Sequence, residues 1–286
     1  MTNPYRIPTP AVISFSGGRT SGYMLRHVLD AYDGALPEDI IVVFANTGKE
    51  RPETLDFVQR CASEWGVHIW WVEYDWDEPH RTRVVSHNSA SRAGEPFAAL
   101  IERKGFVPNQ GLRFCTGFMK RDRIESIARY WMGWKRWHSV VGLRHDEPKR
   151  CRRLRARDCG SSTGAFAVLP LDDARVSVED VNAWWARQPF DLGIPSLHGN
   201  CDGCFLKGKH KLMRIFREEP STADWWIEQE DLVADRAGPN GEITRSLKFF
   251  RDDYSMRQLK HLAMAQGNLF DDKQFDDEEF ECFCTD

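Results

Sequence analysis

Two cysteines separated by two residues lie in a short turn in the C-terminal half of the chain. They are Cys201 and Cys204, in the segment 200–205 (NCDGCF), and a lysine-rich stretch, 207–211, follows directly. A C-x-x-C spacing lets two thiolates reach one metal ion or iron–sulfur cluster. The neighbouring positive charge is expected to lower the pKa of the thiols. Cysteine pairs that only pack together or form a dithiol share this spacing, so the motif alone leaves both interpretations open.

A turn near the N-terminus, 16–21 (SGGRTS), joins an apolar run to a stretch with helical spacing. Glycines let the backbone approach an anion closely, and a helix N-terminus presents N–H groups and the positive end of its dipole. The turn is neither a G-x-x-x-x-G-K-[ST] loop nor a G-x-G-x-x-G fingerprint, and a plain strand–turn–helix connection also uses Gly and Ser. Its candidate anion-binding residues are Ser16, Gly17, Gly18, Arg19, Thr20 and Ser21.

The turn resembles the S-G-G-x-x-S pyrophosphate loop of the adenine-nucleotide α-hydrolase-like (PP-loop) superfamily, and most of all that of the phosphoadenylyl-sulfate (PAPS) reductase family. Three further segments resemble motifs of this family in the same order. The segment 46–55 (NTGKERPETL) resembles D-T-G…P-E-T, 113–120 (RFCTGFMK) resembles R-x-C-T-x-x-L-K, and 142–147 (GLRHDE) resembles G-x-R-x-x-E/Q. The four matches lie within residues 11–147, about half of the chain, and are jointly specific.

The resemblance implies an adenine nucleotide, ATP or PAPS, with its phosphates on the turn 16–21. Asn46, Thr47 and Gly48 would line the adenine and ribose. Asn46 replaces the family's aspartate, which keeps hydrogen bonding and removes a charge. Three cations would neutralise phosphate or sulfate, arginine through a bidentate fork and lysine as a point charge: Arg113, Lys120 and Arg144. Of these, Lys120 and Arg144 are the candidate catalytic residues.

Three arrangements of the cysteines remain open. In the first, Cys115, Cys201, Cys204 and Cys284 hold a [4Fe–4S] cluster, as in the ATP-dependent sulfur-insertion and DNA phosphorothioation enzymes that the C-terminal half resembles. In the second, Cys282 is the catalytic nucleophile that attacks the sulfate sulfur, and a thioredoxin-like reductant resolves the product. The segment 281–285 (ECFCT) matches only two residues of the family's terminal E-C-G-x-H. In the third, Cys201, Cys204, Cys282 and Cys284 bind zinc, because spacing does not separate zinc from iron–sulfur sites.

These residues need a scaffold, and apolar periodicity predicts one. Short apolar runs predict strands at 11–15, 40–45, 67–72 and 139–143, and helical patterns at 23–29, from Pro52 and at 120–130 alternate with them. Such alternation predicts an α/β fold, a parallel sheet with helices on both faces, whose ligand site lies at the carboxyl ends of the strands. Helical patterns follow at 178–188, 210–218, 222–230 and 255–265. We predict a nucleotide-binding domain (1–174), a helical region with the C-x-x-C (175–269) and an acidic, cysteine-bearing tail (270–286).

Composition sets further limits. The chain has 286 residues, a formal net charge of −4 and eight cysteines. No apolar run of about 18 residues occurs, which excludes a membrane-spanning helix. The N-terminus lacks the apolar core of a signal peptide, so we expect a cytoplasmic protein in which cysteines serve metal or thiol chemistry.

The charge is distributed unevenly. The segment 113–157 has fourteen basic and four acidic residues, whereas the tail 270–286 has one lysine and eight acidic residues. The basic segment favours a polyanionic partner such as a nucleotide or nucleic acid, with a solvated surface as the alternative. Trp131, Trp134 and Trp137 are candidates for stacking on bases, although this spacing is more typical of a core.

The sequence leads to two hypotheses of different class. The first is a PAPS reductase-family enzyme that binds ATP or PAPS and carries out sulfonucleotide reduction or ATP-dependent sulfur transfer with its cysteines. The second is a non-enzymatic nucleotide-binding module whose cysteines hold a structural zinc ion.

Overall fold

The computed structural model describes residues 3–156, 164–195, 198–236, 247–249 and 254–265. Its strands are β1 (Ala11–Ser14), β2 (Ile40–Asn46), β3 (Ile69–Tyr74), β4 (Thr82–Val85), β5 (Trp137–Val140) and β6 (Ala165–Val168). They form one six-stranded sheet in the order β4-β3-β2-β1-β5-β6. Neighbouring strands are parallel except β3 and β4, which are antiparallel. The fold is therefore α/β with a mostly parallel sheet, which confirms the predicted fold class.

Helices cover both faces of this sheet. They are α1 (Arg19–Ala31), α2 (Pro52–Trp65), α3 (Glu95–Lys104), α4 (Asp122–Ser126), α5 (Pro148–Ala156), α6 (Pro170–Asp173), α7 (Val178–Trp185), α8 (Lys209–Glu218), α9 (Asp224–Arg236) and α10 (Met256–Ala265). Turns of π-helix, Cys115–Arg121 and Ile127–Trp131, extend α4 at both ends. One core lies between the sheet and α1, α2 and α7, and Ile127 and Ala128 pack against the opposite face. This two-sided burial explains the nearly continuous apolar sequence of β2.

The apolar runs locate the four inner strands to within a few residues, but they do not reveal β4, β6 or α3. β4 (TRVV) has only four residues and carries the exposed Arg83, because it lies at an edge of the sheet. β6 (AFAV) is equally short and lies at the other edge. Runs of four residues are too short to produce a strong pattern, and β4 also contains the exposed Arg83.

A second core lies under the helices that follow residue 200. Its large buried side chains include Phe205, Phe216, Trp226 and Phe249, from the C-x-x-C turn, α8, α9 and the short segment 247–249. Phe97 of α3 also belongs to it, so this core spans both halves of the chain. The predicted tail 270–286, with Cys282 and Cys284, lies outside the described residues. Within the described parts of the chain, no helix is both long and apolar enough to cross a bilayer.

Candidate active site

The turn 16–21 lies between the carboxyl end of β1 and the N-terminus of α1, and a single hydroxyl closes it. Ser21 Oγ lies 3.0 Å from Ser16 Oγ and 3.2 Å from the backbone nitrogen of Ser16, and it donates to the Gly18 carbonyl at 3.0 Å. Gly17 has a φ of +77°, and a Cβ there would lie 2.8 Å from Thr54 Cγ2, so only glycine fits. Among the described residues no side chain caps α1 at Gly18. The first turn of α1 therefore keeps the N–H groups that suit an anion.

The loop after β2 is built around the buried Asn46. Its Nδ2 donates to Glu73 Oε1 at 2.6 Å and to the Ser91 carbonyl at 2.8 Å, and its Oδ1 accepts from the Gly48 N–H at 3.1 Å. Glu73 lies on the adjacent strand β3 and is 2% exposed. Burial raises the pKa of its carboxyl group, while hydrogen bonds from Ser91 and Asn46 oppose the shift. A carboxyl group thus lies beside Asn46 although the sequence has no aspartate at that position.

The loop after β5 brings Arg144 to the turn 16–21. Its guanidinium group is buried and donates to Thr20 Oγ1 at 3.1 Å and to Asp146 Oδ1 at 2.9 Å. On the other side of the turn, Arg19 makes a two-pronged ion pair with Asp191, with N···O distances of 2.7 and 2.5 Å. The structure therefore places two of the three arginines predicted for an anion, Arg19 and Arg144, at the same turn.

The C-x-x-C turn contacts the loop after β2 through its backbone and the turn 16–21 through the Asn200 side chain. Glu50 and Cys201 form an antiparallel bridge, the Arg51 N–H donates to the Asn200 carbonyl at 3.0 Å, and the Asp202 N–H donates to the Lys49 carbonyl at 3.0 Å. The Asn200 side chain donates to the Ser16 carbonyl at 2.8 Å. The cysteines are thus attached to the loops after β1 and β2, although about 150 or more residues separate them in sequence.

Three of the predicted cysteine ligands lie near this contact, close enough for their charges to interact, although in the part of the chain that the structure describes they are not grouped so as to hold a metal ion. Cys201 and Cys204 are buried, and Cys115 lies at the start of the π-helical turn that leads into α4. The pKa of Cys115 is raised to about 12, chiefly by burial and further by the charges of Cys204 and Cys201, against a smaller opposing effect of Lys120. At this cysteine, burial outweighs the positive charge nearby.

Two lysines near the cysteines contact oxygen atoms. Lys120 Nζ lies 3.4 Å from Glu50 Oε1, and the Cys201 thiol donates to the same oxygen at 3.7 Å. The buried Lys207 donates to the backbone carbonyls of Cys201 and Asp202. Glu50 also accepts from the backbone and hydroxyl of Thr47, both at 2.7 Å. The sequence patterns do not mark Glu50, Glu73 or Asn200, because each acts through a contact distant in sequence.

The remaining predicted residues are placed as follows. Arg113 precedes Cys115 in the loop before α4, and Thr47 and Gly48 are buried next to Asn46. Cys282 and Cys284 fall outside the described residues. Within the residues that the structure describes, no group of three or more His, Cys, Asp or Glu side chains is arranged to hold a metal ion. Cys61 is buried in the sheet core.

A protein family and two known proteins resemble this chain over more than half of its length. The model of the phosphoadenosine phosphosulfate reductase domain matches residues 10–189. An uncharacterized nin region protein of Escherichia phage lambda is 30% identical over 215 residues, which are 73% of this chain and 70% of that protein. An uncharacterized protein of Methanocaldococcus jannaschii is 23% identical over 222 residues, 75% of this chain and 46% of that protein.

Two solved structures resemble the fold more distantly. A PAPS reductase from Candida auris, in a phosphate complex, has a TM-score of 0.38 and 16% identity, over 65% of this chain and 79% of that one. A U34-tRNA thiolase from Methanococcus maripaludis, with its [4Fe–4S] cluster, has a TM-score of 0.42 and 12% identity, over 87% of this chain and 79% of that one. Both TM-scores are too low for either likeness to bear on the site.

Proposed function

The chain belongs to the phosphoadenosine phosphosulfate reductase domain family, and we propose that it is an enzyme that binds an adenine nucleotide and carries out sulfur chemistry beside it. The observation that carries the proposal is the direct attachment of the C-x-x-C turn to the loops after β1 and β2. Sulfur atoms and an activated nucleotide would then share one edge of the sheet, where ligands bind in such folds.

The nucleotide would bind with its phosphates on the turn 16–21. The glycine backbone and the first turn of α1 offer N–H donors, and Arg144 adds a buried guanidinium group. The loop 46–48 would contact adenine and ribose, with Asn46 fixed by its bonds to Glu73 and Ser91. Arg113 and Lys120 flank Cys115 in the sequence. Their side chains would reach the end of the nucleotide that reacts.

The cysteines would hold a [4Fe–4S] cluster. Three thiols of the predicted set, Cys115, Cys201 and Cys204, lie close enough for their charges to interact, within a largely apolar core. Thiolates are the ligands that iron–sulfur clusters take, and a bound cluster would supply electrons or a site for sulfide. The fourth predicted ligand, Cys284, lies outside the described residues. Glu50 and Lys207 would keep the C-x-x-C turn in place.

Two reactions fit this arrangement. In sulfur transfer, an acceptor oxygen attacks the α-phosphate of ATP and releases pyrophosphate, and a sulfide ion supplied as a co-substrate then displaces AMP from the adenylated acceptor, so that sulfur replaces the acceptor oxygen. If a cysteine persulfide is the donor instead, its attack displaces AMP and forms a disulfide with the acceptor, which a thiol reductant must cleave. In sulfonucleotide reduction, the Cys282 thiolate attacks the sulfate sulfur of PAPS and displaces adenosine 3′,5′-bisphosphate, and a thioredoxin-like dithiol then releases sulfite, restores the Cys282 thiol and becomes a disulfide. The missing G-x-H after Cys282 and the presence of the C-x-x-C favour the transfer reaction.

The acceptor in the transfer reaction would be a nucleic acid or another polyanion. Helix α5, Pro148–Ala156, begins four residues after Arg144 and carries five basic side chains. Arg150 pairs with Glu147, and Arg155 pairs with Asp172 and Asp173, whereas Lys149 and Arg152 are exposed. A polyanion bound along α5 would therefore lie next to the phosphate end of the nucleotide.

The decisive experiment is anaerobic incubation of the reconstituted protein either with ATP, sulfide and a single-stranded oligonucleotide as acceptor, or with PAPS and a dithiol reductant. Transfer chemistry would release pyrophosphate and AMP from ATP, and reduction would release sulfite from PAPS. Iron and sulfide in a brown protein would support the cluster. Stoichiometric zinc without iron, together with no turnover of either nucleotide, would favour the non-enzymatic module.

The nucleotide site is tested by Ser16→Ala and Arg144→Ala. Each is expected to weaken ATP or PAPS binding at least about tenfold, which corresponds to ~1.4 kcal/mol. Arg26→Ala, in the same α1 but paired with Asp30 at the surface, is the matched control and should bind as the wild type does. Unchanged calorimetric affinity in both test variants would contradict the placement of the phosphates.

A further inference from the structure

A second cleft lies between the loop after β3 and the helical segment around α4. Its volume is about 500 Å³, and its lining includes Trp76, His80, Arg123, Ser126 and Tyr130. None of its lining residues belongs to the turn 16–21, the loop 46–48 or the C-x-x-C turn. The cleft is therefore separate from the candidate active site.

The loop that forms one wall of this cleft has a strained backbone. His80 and Arg81 both have a φ of +57°, which residues other than glycine seldom adopt. The buried Arg123 holds them there, because its Nη1 donates to the carbonyls of both and, at 3.0 Å, to Thr82 Oγ1. Strain of this kind persists where the surroundings impose it and is concentrated at ligand sites. A buried guanidinium group thus serves to shape this wall.

Exposed aromatic rings gather at the cleft. Trp76, Tyr130 and Trp131 are the exposed large aromatic side chains of the described chain, and Tyr130 is the most open at 54%. The His80 ring stacks on Tyr130 with centroids 3.4 Å apart and planes within 3°, and Trp131 meets His80 edge-on at 6.1 Å. His80 therefore supports one face of Tyr130, and more than half of the tyrosine surface remains open. Clustered exposed rings are unusual on a soluble protein and mark interaction sites.

The charges around the cleft are balanced. Arg81 and Arg103 place their guanidinium carbons 4.0 and 3.1 Å from the centre of the Trp76 ring. Glu78, Asp122 and Glu125 line the same cleft as Arg81, Arg123 and Arg129. Because the two signs are equal in number, attraction to phosphate alone does not explain a ligand here. We therefore expect the aromatic ring surfaces and the hydrogen-bonding groups to determine which ligand the cleft selects.

Two buried polar atoms of lining residues lack a partner within the described structure. They are Ser126 Oγ and Arg123 Nε, in residues that are 4% and 5% exposed. A buried polar atom without a hydrogen bond is costly, so a ligand with polar edges would be stabilised against them. Burial also raises the pKa of the Glu125 carboxyl group beside them. The cleft thus combines an open ring face with unused hydrogen-bonding capacity.

We propose that this cleft binds an unpaired base of a single-stranded nucleic acid, with the base stacked on Tyr130 and its polar edge towards Ser126. Planar heterocycles with hydrogen-bonding edges match both features, and stacking on aromatic side chains is how single strands are held. The proposal rests on the proposed function, because it identifies the polyanionic acceptor expected along α5 as a single-stranded nucleic acid. It does not depend on which nucleotide the active site takes.

The test is fluorescence anisotropy with labelled oligonucleotides of about twelve nucleotides, single-stranded RNA, single-stranded DNA and the DNA duplex. We expect the wild type to bind a single strand more tightly than the duplex. Tyr130→Ala should weaken single-strand binding about tenfold or more, within the range that stacking one base contributes, and Tyr130→Phe should retain it. Met264→Ala removes an exposed apolar side chain of α10 and is the matched control. ATP and PAPS affinity should be unchanged in Tyr130→Ala.

Three outcomes decide between the proposals. If Tyr130→Ala binds single strands as the wild type does, or single strands bind no better than the duplex, the cleft does not hold a base. In that case loss of duplex binding in Arg152→Glu would still support a polyanion contact at α5. If the wild type binds no oligonucleotide, both the cleft proposal and the nucleic-acid acceptor are wrong. Failure of ATP and PAPS to bind, with normal single-strand binding, would overturn the nucleotide site alone.

Discussion

The turn 16–21 and the C-x-x-C turn meet at one site, but different kinds of contact hold them. The turn 16–21 continues β1 and α1, and Ser16, Gly18 and Ser21 close it within a few residues. The C-x-x-C turn is fixed largely by partners far away in sequence, among them the buried charged residues Lys49 and Glu50, and also by the nearby Lys207. The turn 16–21 is closed by bonds within it and receives further contacts from Arg144, Asp191 and Asn200, whereas the C-x-x-C turn depends mainly on the completed fold.

This difference has an energetic consequence. Breaking one partner of a buried polar contact leaves the other without compensation, which costs more than the contact itself contributes. Asp202 shows the dependence: its carboxylate accepts from Lys49 at 2.8 Å and from the Trp226 indole at 3.0 Å. We therefore expect the C-x-x-C turn to be the more sensitive of the two to substitutions outside it.

The largest effect is expected from Trp226→Ala, with Trp137→Ala as its counterpart in the sheet. Both tryptophans are 1% exposed, so each substitution should lower the free energy of unfolding by about 3–5 kcal/mol. Only Trp226 bonds to the C-x-x-C turn, so only Trp226→Ala should speed alkylation of Cys201 and Cys204 under native conditions. Urea unfolding and mass spectrometry of alkylated thiols measure the two effects. If Cys201 and Cys204 are alkylated at the same rate in both variants, the turn 16–21 and the C-x-x-C turn do not differ in the way proposed.

The next effect is a pH dependence confined to the helical core. Burial raises the pKa of Glu230 from 4.5 to about 7, against hydrogen bonds from the N–H groups of Phe249 and Met256. The folded state then binds more protons than the unfolded state between these values, so stability falls as the pH rises from about 4.5 to 7. The loss from this residue approaches about 3 kcal/mol.

Glu230→Gln cannot titrate and serves as the reference for this effect. The difference in the free energy of unfolding, wild type minus variant, should decrease as the pH rises from 5 to 8. Urea titrations of both proteins at several pH values measure it. A difference that stays constant over this range would show that Glu230 titrates normally.

A smaller effect is expected from Asn200→Ala, which cuts the side-chain contact between the two turns. Its Nδ2 donates to the Ser16 carbonyl at 2.8 Å, and losing one such hydrogen bond costs about 1 kcal/mol. We also expect faster alkylation of Cys201. Gln59→Ala, at the surface of α2 and remote from the site, is a suitable control. If thiol alkylation does not change, the backbone contacts of the C-x-x-C turn with the loop after β2 are enough to hold Cys201 in place.

The smallest effect is expected from Asp191→Asn. The carboxylate pairs with Arg19 of the turn 16–21, but the two side chains are 26% and 38% exposed for Arg19 and Asp191. Ion pairs in such positions contribute up to about 1 kcal/mol and weaken with salt. Thermal unfolding at low and high salt should therefore separate wild type and variant by a small, salt-sensitive shift. A loss comparable with that of Trp226→Ala would show that the turn 16–21 also relies on distant partners.

The sequence predicts the locally built parts of the molecule well. The four inner strands follow from apolar runs, and α1, α2, α8 and α10 follow from helical periodicity. The turn 16–21 is recognisable because its glycines and hydroxyls are adjacent in sequence. β4, β6 and α3 escape prediction because they are short or half-exposed, so their patterns are weak.

The assembly of the site is harder to predict. Cys115, Cys201 and Cys204 were predicted to bind one cluster from their motifs, but the sequence does not reveal that burial raises the pKa of the Cys115 thiol despite the nearby lysine. Glu50 and Glu73 carry no local signal, since a carboxylate buried by tertiary contacts looks in sequence like any polar residue. The roles of the predicted site residues stay predictions until nucleotide binding is measured.

The contact between Asn200 and Ser16 also determines when the site can be completed. The two residues are 184 positions apart, and closing so long a loop is slow compared with forming the neighbouring strand–turn–helix units. During synthesis from the N-terminus, β1, β2 and their loops are made before the C-x-x-C turn exists. We therefore expect a nascent chain to present its anion-binding turn early and to bury Cys201 and Cys204 last.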